Sequence, residues 1–370
     1  MARRIRKSHW SRSFQNSLAA LTRATLRAGT RAAVKAARKS VKQAVKQAVK
    51  QTANRTAKQT AKQTAKQPVR RAAAPVGRKS PSSRIARAGP GDCSSGVALG
   101  PAGARRYRLY KPPGACKTDH LPLLVMLHGC GQDAAGFARS TRLNTLAARG
   151  GFFVLWPEQD RLANPQGCWN WYDTRSGRAL QEAASIVAAI EQVCTRHGAD
   201  PARVAVAGLS AGASLAALLA MRYPERFRAV AMHSGIAPGA AHSMATALAA
   251  MQGRRPPGPL PAGVAEWPAL LVIQGTADPV VRASNGRAAA QVWADATGAA
   301  PTAPRTVQRG QRRAMTVVDY KLKSRTVASL CEVAGLGHAW SGGAANQPYS
   351  DSKGPDASRM IWAFAAKQFP

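Results

Sequence analysis

Arg203-Val204-Ala205-Val206-Ala207-Gly208-Leu209-Ser210-Ala211-Gly212-Ala213-Ser214-Leu215 runs from an unbroken stretch of small apolar residues, through a G-x-S-x-G pentapeptide, into an Ala- and Leu-rich segment that reaches Tyr223. Val and Ala without polar alternation suit a strand covered on both faces, and Ala and Leu are good helix formers. Ser210 therefore falls on a sharp strand-to-helix turn. A serine there takes strained dihedrals, and glycines two residues to either side let neighbouring backbone approach without Cβ clashes. As a bare pattern the pentapeptide also describes a Gly-rich turn. Its place between a buried strand and a helix is what makes Ser210 a candidate nucleophile.

Outward from this turn, strand-like runs recur at 106–112 (RYRLYKP), 121–129 (LPLLVMLHG), 152–158 (FFVLWPE), 228–235 (RAVAMHSG), 268–275 (PALLVIQG) and 329–335 (SLCEVAG). Between them lie amphipathic or Ala-rich stretches at 136–149, 178–197, 211–222, 284–297 and 356–367. This alternation predicts an α/β fold, a mostly parallel sheet with helices on both faces. With the serine turn included, the expectation is an α/β-hydrolase.

A serine hydroxyl is a poor nucleophile at neutral pH and needs a base within hydrogen-bond reach, with a carboxylate to fix the base's tautomer. In this fold the partners follow in the order Ser, then Asp or Glu, then His, on loops after later strands. Asp278 fits in Gly275-Thr276-Ala277-Asp278-Pro279, where the plain alternative is a turn-capping aspartate. His338 fits in Gly335-Leu336-Gly337-His338-Ala339-Trp340, where the alternative is an ordinary loop histidine. His197 stands at a helix end, His242 in an irregular segment and His233 too early in chain order, so all three read as structural. The turn Leu127-His128-Gly129-Cys130-Gly131 follows the second strong strand, where this fold places one amide of the oxyanion hole. The two donors are assigned to the backbone of Ala211 and Cys130, with Gly131 as the alternative for the second.

Charge divides the chain. The first 90 residues contain 24 of the 54 Lys and Arg and none of the 17 Asp and Glu; residues 91–370 hold the other 30 basic residues against all 17 acidic ones. A self-repelling segment with few large apolar side chains builds no core of its own. From Val41 to Gln67 it repeats a four-residue unit, VKQAVKQAVKQT and then AKQTAKQTAKQ. A period of four drifts about 40° per repeat on a helix of 3.6 residues per turn, so no fixed apolar seam forms. Residues 1–67 thus read either as a helix formed when a polyanion neutralises its lysines or as an inert solvated tail. Pro, Gly, Ser and Arg dominate 68–100, which reads as a linker, leaving 101–370 as the folded domain.

The cysteines (Cys93, Cys116, Cys130, Cys168, Cys194, Cys331) are too few for a disulfide scaffold and match no zinc spacing, so no metal is expected. No apolar run approaches the roughly 18 residues of a membrane span, and the N-terminus lacks the apolar core of about 7–15 residues of a secretory signal.

The segments HGCGQDAAGF (128–137), WPEQ (156–159), NPQGCWNWYD (164–173), GLSAGA (208–213), GTADPVV (275–281), GLGHAWSGG (335–343) and SDSKGPDAS (350–358) together resemble the polyhydroxybutyrate depolymerase family of esterases. The resemblance runs in consistent order from about Tyr107 to Phe369 and leaves out the basic leader. It implies an α/β-hydrolase without a cofactor, acting on short-chain hydroxyalkanoate esters or related carboxylic esters, and the family also covers feruloyl and acetylxylan esterases. Carried over residue by residue, it agrees with Ser210, Asp278 and His338. Trp169, Trp171, Tyr172 and, beside the base, Trp340 read either as the lining of an acyl or polymer-contacting cleft or as loop packing. Cys130 and Cys168 lie in loops that the fold can bring together above the sheet, so a disulfide bracing the oxyanion loop is one reading. Cys194 and Cys331 read as buried apolar residues and Asp356 as a helix N-cap.

Two readings of function from different classes follow. One is a serine esterase acting on an ester substrate or polyester surface. The other is a protein whose leader docks on nucleic acid or another anionic surface, with the hydrolase-like domain as scaffold. Compartment is open: the family resemblance and a Cys130–Cys168 bridge point outside the cytoplasm, the missing signal core inside. Oligomeric state is not read from the sequence.

Overall fold

A computed structural model of the protein describes residues 91–370. The readings made for 1–67 and for the linker up to residue 90 lie outside the described residues. The strands are β1 (Asp92–Gly100), β2 (Gly103–Lys111), β3 (Leu121–Leu127), β4 (Phe153–Pro157), β5 (Ala199–Leu209), β6 (Ala229–His233), β7 (Ala269–Gly275), β8 (Ala300–Pro301), β9 (Arg305–Val307), β10 (Met315–Leu322), β11 (Arg325–Val333), β12 (Trp340–Ser341) and β13 (Ser350–Asp351). The helices are α1 (Ala134–Thr141), α2 (Leu143–Gly150), α3 (Arg178–His197), α4 (Ala211–Arg222), α5 (Met244–Met251), α6 (Ser284–Thr297) and α7 (Ala357–Ala366).

One sheet has the order β1-β2-β4-β3-β5-β6-β7-β11-β10-β8, with β9 also on β10, while β12 and β13 pair separately. From β4 through β3, β5, β6 and β7 to β11 every pairing is parallel, and β1, β2 and β10 add antiparallel edges. This is the α/β-hydrolase fold expected from the alternation.

The unbroken apolar runs have a simple cause. In β3, Leu123, Val125 and Leu127 join a core cluster with Ile186 and Val193 of α3, Leu215 of α4 and Trp293 of α6. The alternate residues Leu124 and Met126 join a second cluster with Phe137 of α1, Leu143 of α2 and Ile361 of α7. β5 divides in the same way, Val204 and Val206 against Ala205, Ala207 and Leu209. Successive strand side chains point to opposite faces, so a sheet with helices on both sides needs apolar residues at every position.

Helices α3, α4 and α6 occupy the expected spans, and Asp356 caps α7 by accepting from Arg359 N (3.1 Å). The stretch expected as one helix over 136–149 is two, because Arg142 takes a left-handed conformation (φ 55°) that ends α1 and opens α2. The linker boundary at residue 100 also needs correction. Asp92–Gly100 is a strand, paired with β2 from Asp92↔Lys111 to Gly100↔Gly103 around the two-residue turn Pro101-Ala102. It is an edge strand in which only Ala98 is fully buried. Its composition, with Gly, Ser and Asp, therefore carries no core signal; main-chain pairing, the close fit of Gly96 against the Tyr107 ring and a hydrogen bond from Gln192 Nε2 to Val97 O (3.0 Å) hold it.

A chain beginning at residue 101 should accordingly be less stable than one beginning at 91. A thermal midpoint lower by at least about 2 °C, from roughly 1 kcal/mol or more of lost pairing in a domain of this size, is expected by calorimetry. Equal midpoints would show that β1 contributes nothing.

Candidate active site

The carboxyl ends of β5, β6, β7 and β11 are level with one another. Leu209 faces His233, His233 faces Ile273, and Gly275 faces Val333. Ser210, Asp278 and His338 stand in the loops that follow β5, β7 and β11, so parallel pairing delivers all three to one edge of the sheet.

Ser210 has φ 57° and ψ −118°, a strained conformation for a non-glycine residue. Its N–H donates to His233 O (2.9 Å), which ties the turn to the neighbouring strand. The flanking glycines are required by contact. A Cβ on Gly208 would come 2.3 Å from the Gly212 carbonyl carbon, and one on Gly212 would come 2.1 Å from Leu127 O.

His338 Nδ1 donates to Asp278 Oδ2 at 2.8 Å, leaving Nε2 as the ring atom available as a base. The Asp278 side chain has no solvent exposure and that of His338 only 11%. Burial raises the Asp278 pKa, but the His338 hydrogen bond and charge, with the amides of Val281 (2.9 Å) and Val280 (2.8 Å) on Oδ1, outweigh it and hold the carboxyl below the usual range. The aspartate is therefore an anion wherever the imidazole needs one. Ser210 Oγ is brought to the same edge without a hydrogen bond to the ring. In unliganded hydrolases such bonds are often long and tighten with substrate.

The loop after β3 folds back on Ser210, and a Cβ on Gly129 would lie 3.6 Å from Ser210 Cβ. Gly129 N donates to Gln132 Oε1 (2.8 Å) and Gln132 N to Gly129 O (3.2 Å). The Gly131 amide, the alternative oxyanion donor, is committed to Gln166 O at 3.0 Å, so that alternative is corrected. The Cys130 amide has no acceptor among the described residues, and the Ala211 amide, first in α4, has none within its helix.

Behind this loop lies a buried polar scaffold. Cys130 and Cys168 are joined by a disulfide. Trp169 Nε1 donates to His128 O (3.0 Å), and Gln159 N donates to His128 Nε2 (3.1 Å). Gln159 Nε2 reaches both Cys168 O (2.9 Å) and Glu182 Oε1 (2.6 Å), while Glu182 also accepts from Asn170 N and Nδ2. Arg105 Nη1 donates to Gln159 Oε1 (2.6 Å), and its guanidinium lies 5.2 Å over the Trp169 ring. Gln132, Gln159, Glu182 and Arg105 are residues the sequence reading missed. Gln132 and Gln159 sit inside the HGCGQ and WPEQ segments, but nothing local marks Glu182 or Arg105.

Trp169 and Trp340, read as one option for a cleft lining, are fully buried. Trp169 packs in the core, and Trp340 donates to Ser358 Oγ (3.2 Å) and stacks on His233 at 5.1 Å, so both are structural. Trp171 and Tyr172 are half-buried, meet edge to face at 5.6 Å, and pack on a small cluster with Ile236, Val280 and Val281. They stay beside the Asp278 turn as candidates for substrate contact.

His233 accepts from Ser341 N (3.0 Å) and so must carry no proton on Nε2. Burial, with the nearby His338 charge, lowers its pKa to about 3, and burial lowers that of His128 to about 4. Both folded values lie below the ordinary 6.5. The stability they contribute is thus complete above about pH 6.5 and is lost as pH falls toward the folded values, because the unfolded chain binds more protons. Urea unfolding should weaken by up to about 2.7 kcal/mol per pH unit between roughly pH 6 and 4, about 1.4 for each histidine. In His233→Gln about half of that slope should disappear; an unchanged slope would contradict the buried neutral imidazole.

Comparison with known proteins agrees with this architecture. A family model for the esterase PHB depolymerases matches residues 105–300. Poly(3-hydroxyalkanoate) depolymerase C of Paucimonas lemoignei is 37% identical over 131 residues, 35% of this chain and 31% of that protein. Feruloyl esterase B of Neurospora crassa is 35% identical over 117 residues, 31% of this chain and 39% of its own length. The chain thus spans about a third of the length of these curated relatives. The acetyl xylan esterase from Aspergillus awamori superposes with a TM-score of 0.58 at 21% identity, covering 67% of this chain and 94% of that one, a likeness of fold. With more than half of its residues matched by the family model, the chain belongs to the PHB depolymerase family of esterases.

Proposed function

We propose that residues 91–370 are a serine esterase that cleaves carboxylic esters, with Ser210 as nucleophile, His338 as general base and acid, and Asp278 as the group that orients the imidazole. The observation that carries this reading is the Asp278–His338 hydrogen bond at the sheet edge where Ser210 holds its strained turn.

In the proposed reaction His338 Nε2 takes the Ser210 hydroxyl proton as Oγ attacks the ester carbonyl carbon. The carbonyl π electrons move to oxygen, and the amides of Ala211 and Cys130 hold the resulting oxyanion. Collapse of the tetrahedral intermediate breaks the bond to the alcohol, which leaves with the proton from His338, giving an acyl-enzyme. Water, deprotonated by the same nitrogen, attacks the acyl carbon, and a second collapse releases the acid and restores Ser210. Asp278 remains ionised and stabilises the imidazolium.

As substrate we propose short-chain poly- or oligo-hydroxyalkanoate esters, on the likeness to the Paucimonas lemoignei depolymerase over about a third of the chain. The likeness to a feruloyl esterase supports an aromatic-acyl alternative. Trp171 and Tyr172, beside the Asp278 turn, are the residues we assign to acyl-group contact.

Ser210→Ala should lower kcat by about 10⁴–10⁶-fold and abolish the acyl-enzyme burst, with an unchanged unfolding midpoint. Asp278→Asn should cost about 10⁴-fold. Both are read with p-nitrophenyl butyrate, and retained turnover in Ser210→Ala would refute the assignment. Rates on hydroxybutyrate oligomers, feruloyl esters and acetylated xylan decide the substrate; the hydroxyalkanoate reading requires the highest kcat/KM on the oligomers.

A further inference from the structure

A cleft of about 730 Å³ lies between α2, the connection from β9 to β10, and α7, and contains none of Ser210, Asp278 or His338. Its lining includes Arg142, Arg149, Arg309, Arg312, Arg313 and Arg359 against a single carboxylate, Asp356. Three of these cations are partly used in holding the chain that follows His338. Arg142 donates to Gly342 O (2.7 Å), Arg312 to Gly354 O (2.6 Å), and Arg313 pairs with Asp351 (3.1 Å). Arg359 pairs with Asp356 at 3.4 Å while remaining exposed. Arg149 and Arg309 are exposed and have no ion-pair partner among the described residues. Like charges gathered around one cleft repel each other, and a purely structural role accounts for only three of the six.

We propose that this cleft binds the sugar-phosphate backbone of double-stranded nucleic acid. Three features favour that ligand. Six guanidiniums against two carboxylates, Asp356 in the lining and Asp351 on Arg313, leave a charge excess suited to a row of phosphates rather than to one acyl carboxylate. The planar fork of arginine donates in pairs to phosphate oxygens. No aromatic side chain lines the cleft, so it lacks the stacking platforms that binding of single strands relies on, whereas a duplex is held through its phosphates alone. Recognition of this kind is indifferent to sequence.

The test uses the full chain and the triple variant Arg149→Ser/Arg309→Ser/Arg359→Ser, which leaves the three loop-holding arginines in place. Anisotropy of a labelled duplex of about 20 base pairs is titrated from roughly 50 to 300 mM salt, with a single strand of equal length and phosphatidylcholine vesicles containing phosphatidylserine as the other arms. Each phosphate contact contributes about 0.9 to the slope of log K against log salt, so the variant's slope should be shallower by about 2–3 and its affinity near 100 mM salt at least about tenfold weaker. Hydrolysis of p-nitrophenyl butyrate should be unchanged, which shows that the variant is folded. Unaltered duplex affinity and slope would overturn the proposal and leave binding to residues 1–90 alone. Loss confined to the single strand or to the vesicles, or no duplex binding by the wild-type chain, would overturn it equally.

Discussion

The structure turns on a single strained residue. Ser210 is held at positive φ between β5 and α4, and the cost of that conformation, of order 1–3 kcal/mol, is borne by everything packed around it. Its amide is fixed to His233 O; Gly208 and Gly212 are close enough that any side chain on either would collide with backbone; and the loop after β3 closes over it. Because strand, turn and helix are each buried against the sheet, the turn cannot relax without displacing the core, and the hydroxyl is held clear at the sheet edge.

The groups around it are held by polar contacts removed from water. Asp278 keeps its charge inside the protein because two amides and an imidazole donate to it, and without them its burial would favour the neutral acid. His233 works in the opposite sense. It is kept neutral by burial, and in that form it links the Ser210 turn through its carbonyl to the loop after His338 through its ring. The loop after β3 is braced from behind by Glu182, Gln159, Arg105 and the Cys130–Cys168 disulfide, so the Cys130 amide is positioned by a buried polar network rather than by the loop's own sequence.

Charge is arranged on a different plan from the groups proposed to react. The proposed relay is buried and tied by short polar contacts, whereas the cleft between α2 and α7 gathers six arginines of which only Arg313 and Arg359 meet a carboxylate. Three of its arginines also hold the chain from Gly342 to Gly354, which follows the proposed base by a few residues. A cation placed there serves the loop's backbone on one side and leaves further N–H groups on the other. Among the described residues no helix is long and apolar enough to cross a membrane.

The amino-acid sequence by itself determined the parallel core and which three side chains, Ser210, Asp278 and His338, we propose as the reacting groups. Apolar residues at every position mark strands covered on both faces, a serine between two glycines marks the turn, and chain order picks out Asp278 and His338. These signals are local, and burial forces them on the sequence. Only the tertiary structure decided that Gly131 is committed to Gln166, that Trp169 and Trp340 are core rather than cleft, that Asp92–Gly100 is an edge strand, and that Glu182 and Arg105 stand behind the oxyanion loop. Each of those outcomes depends on which residues distant in the chain meet in space. An aromatic or a carboxylate has the same local sequence whether it faces solvent or a buried partner, and an edge strand needs pairing from its neighbour rather than an apolar face of its own.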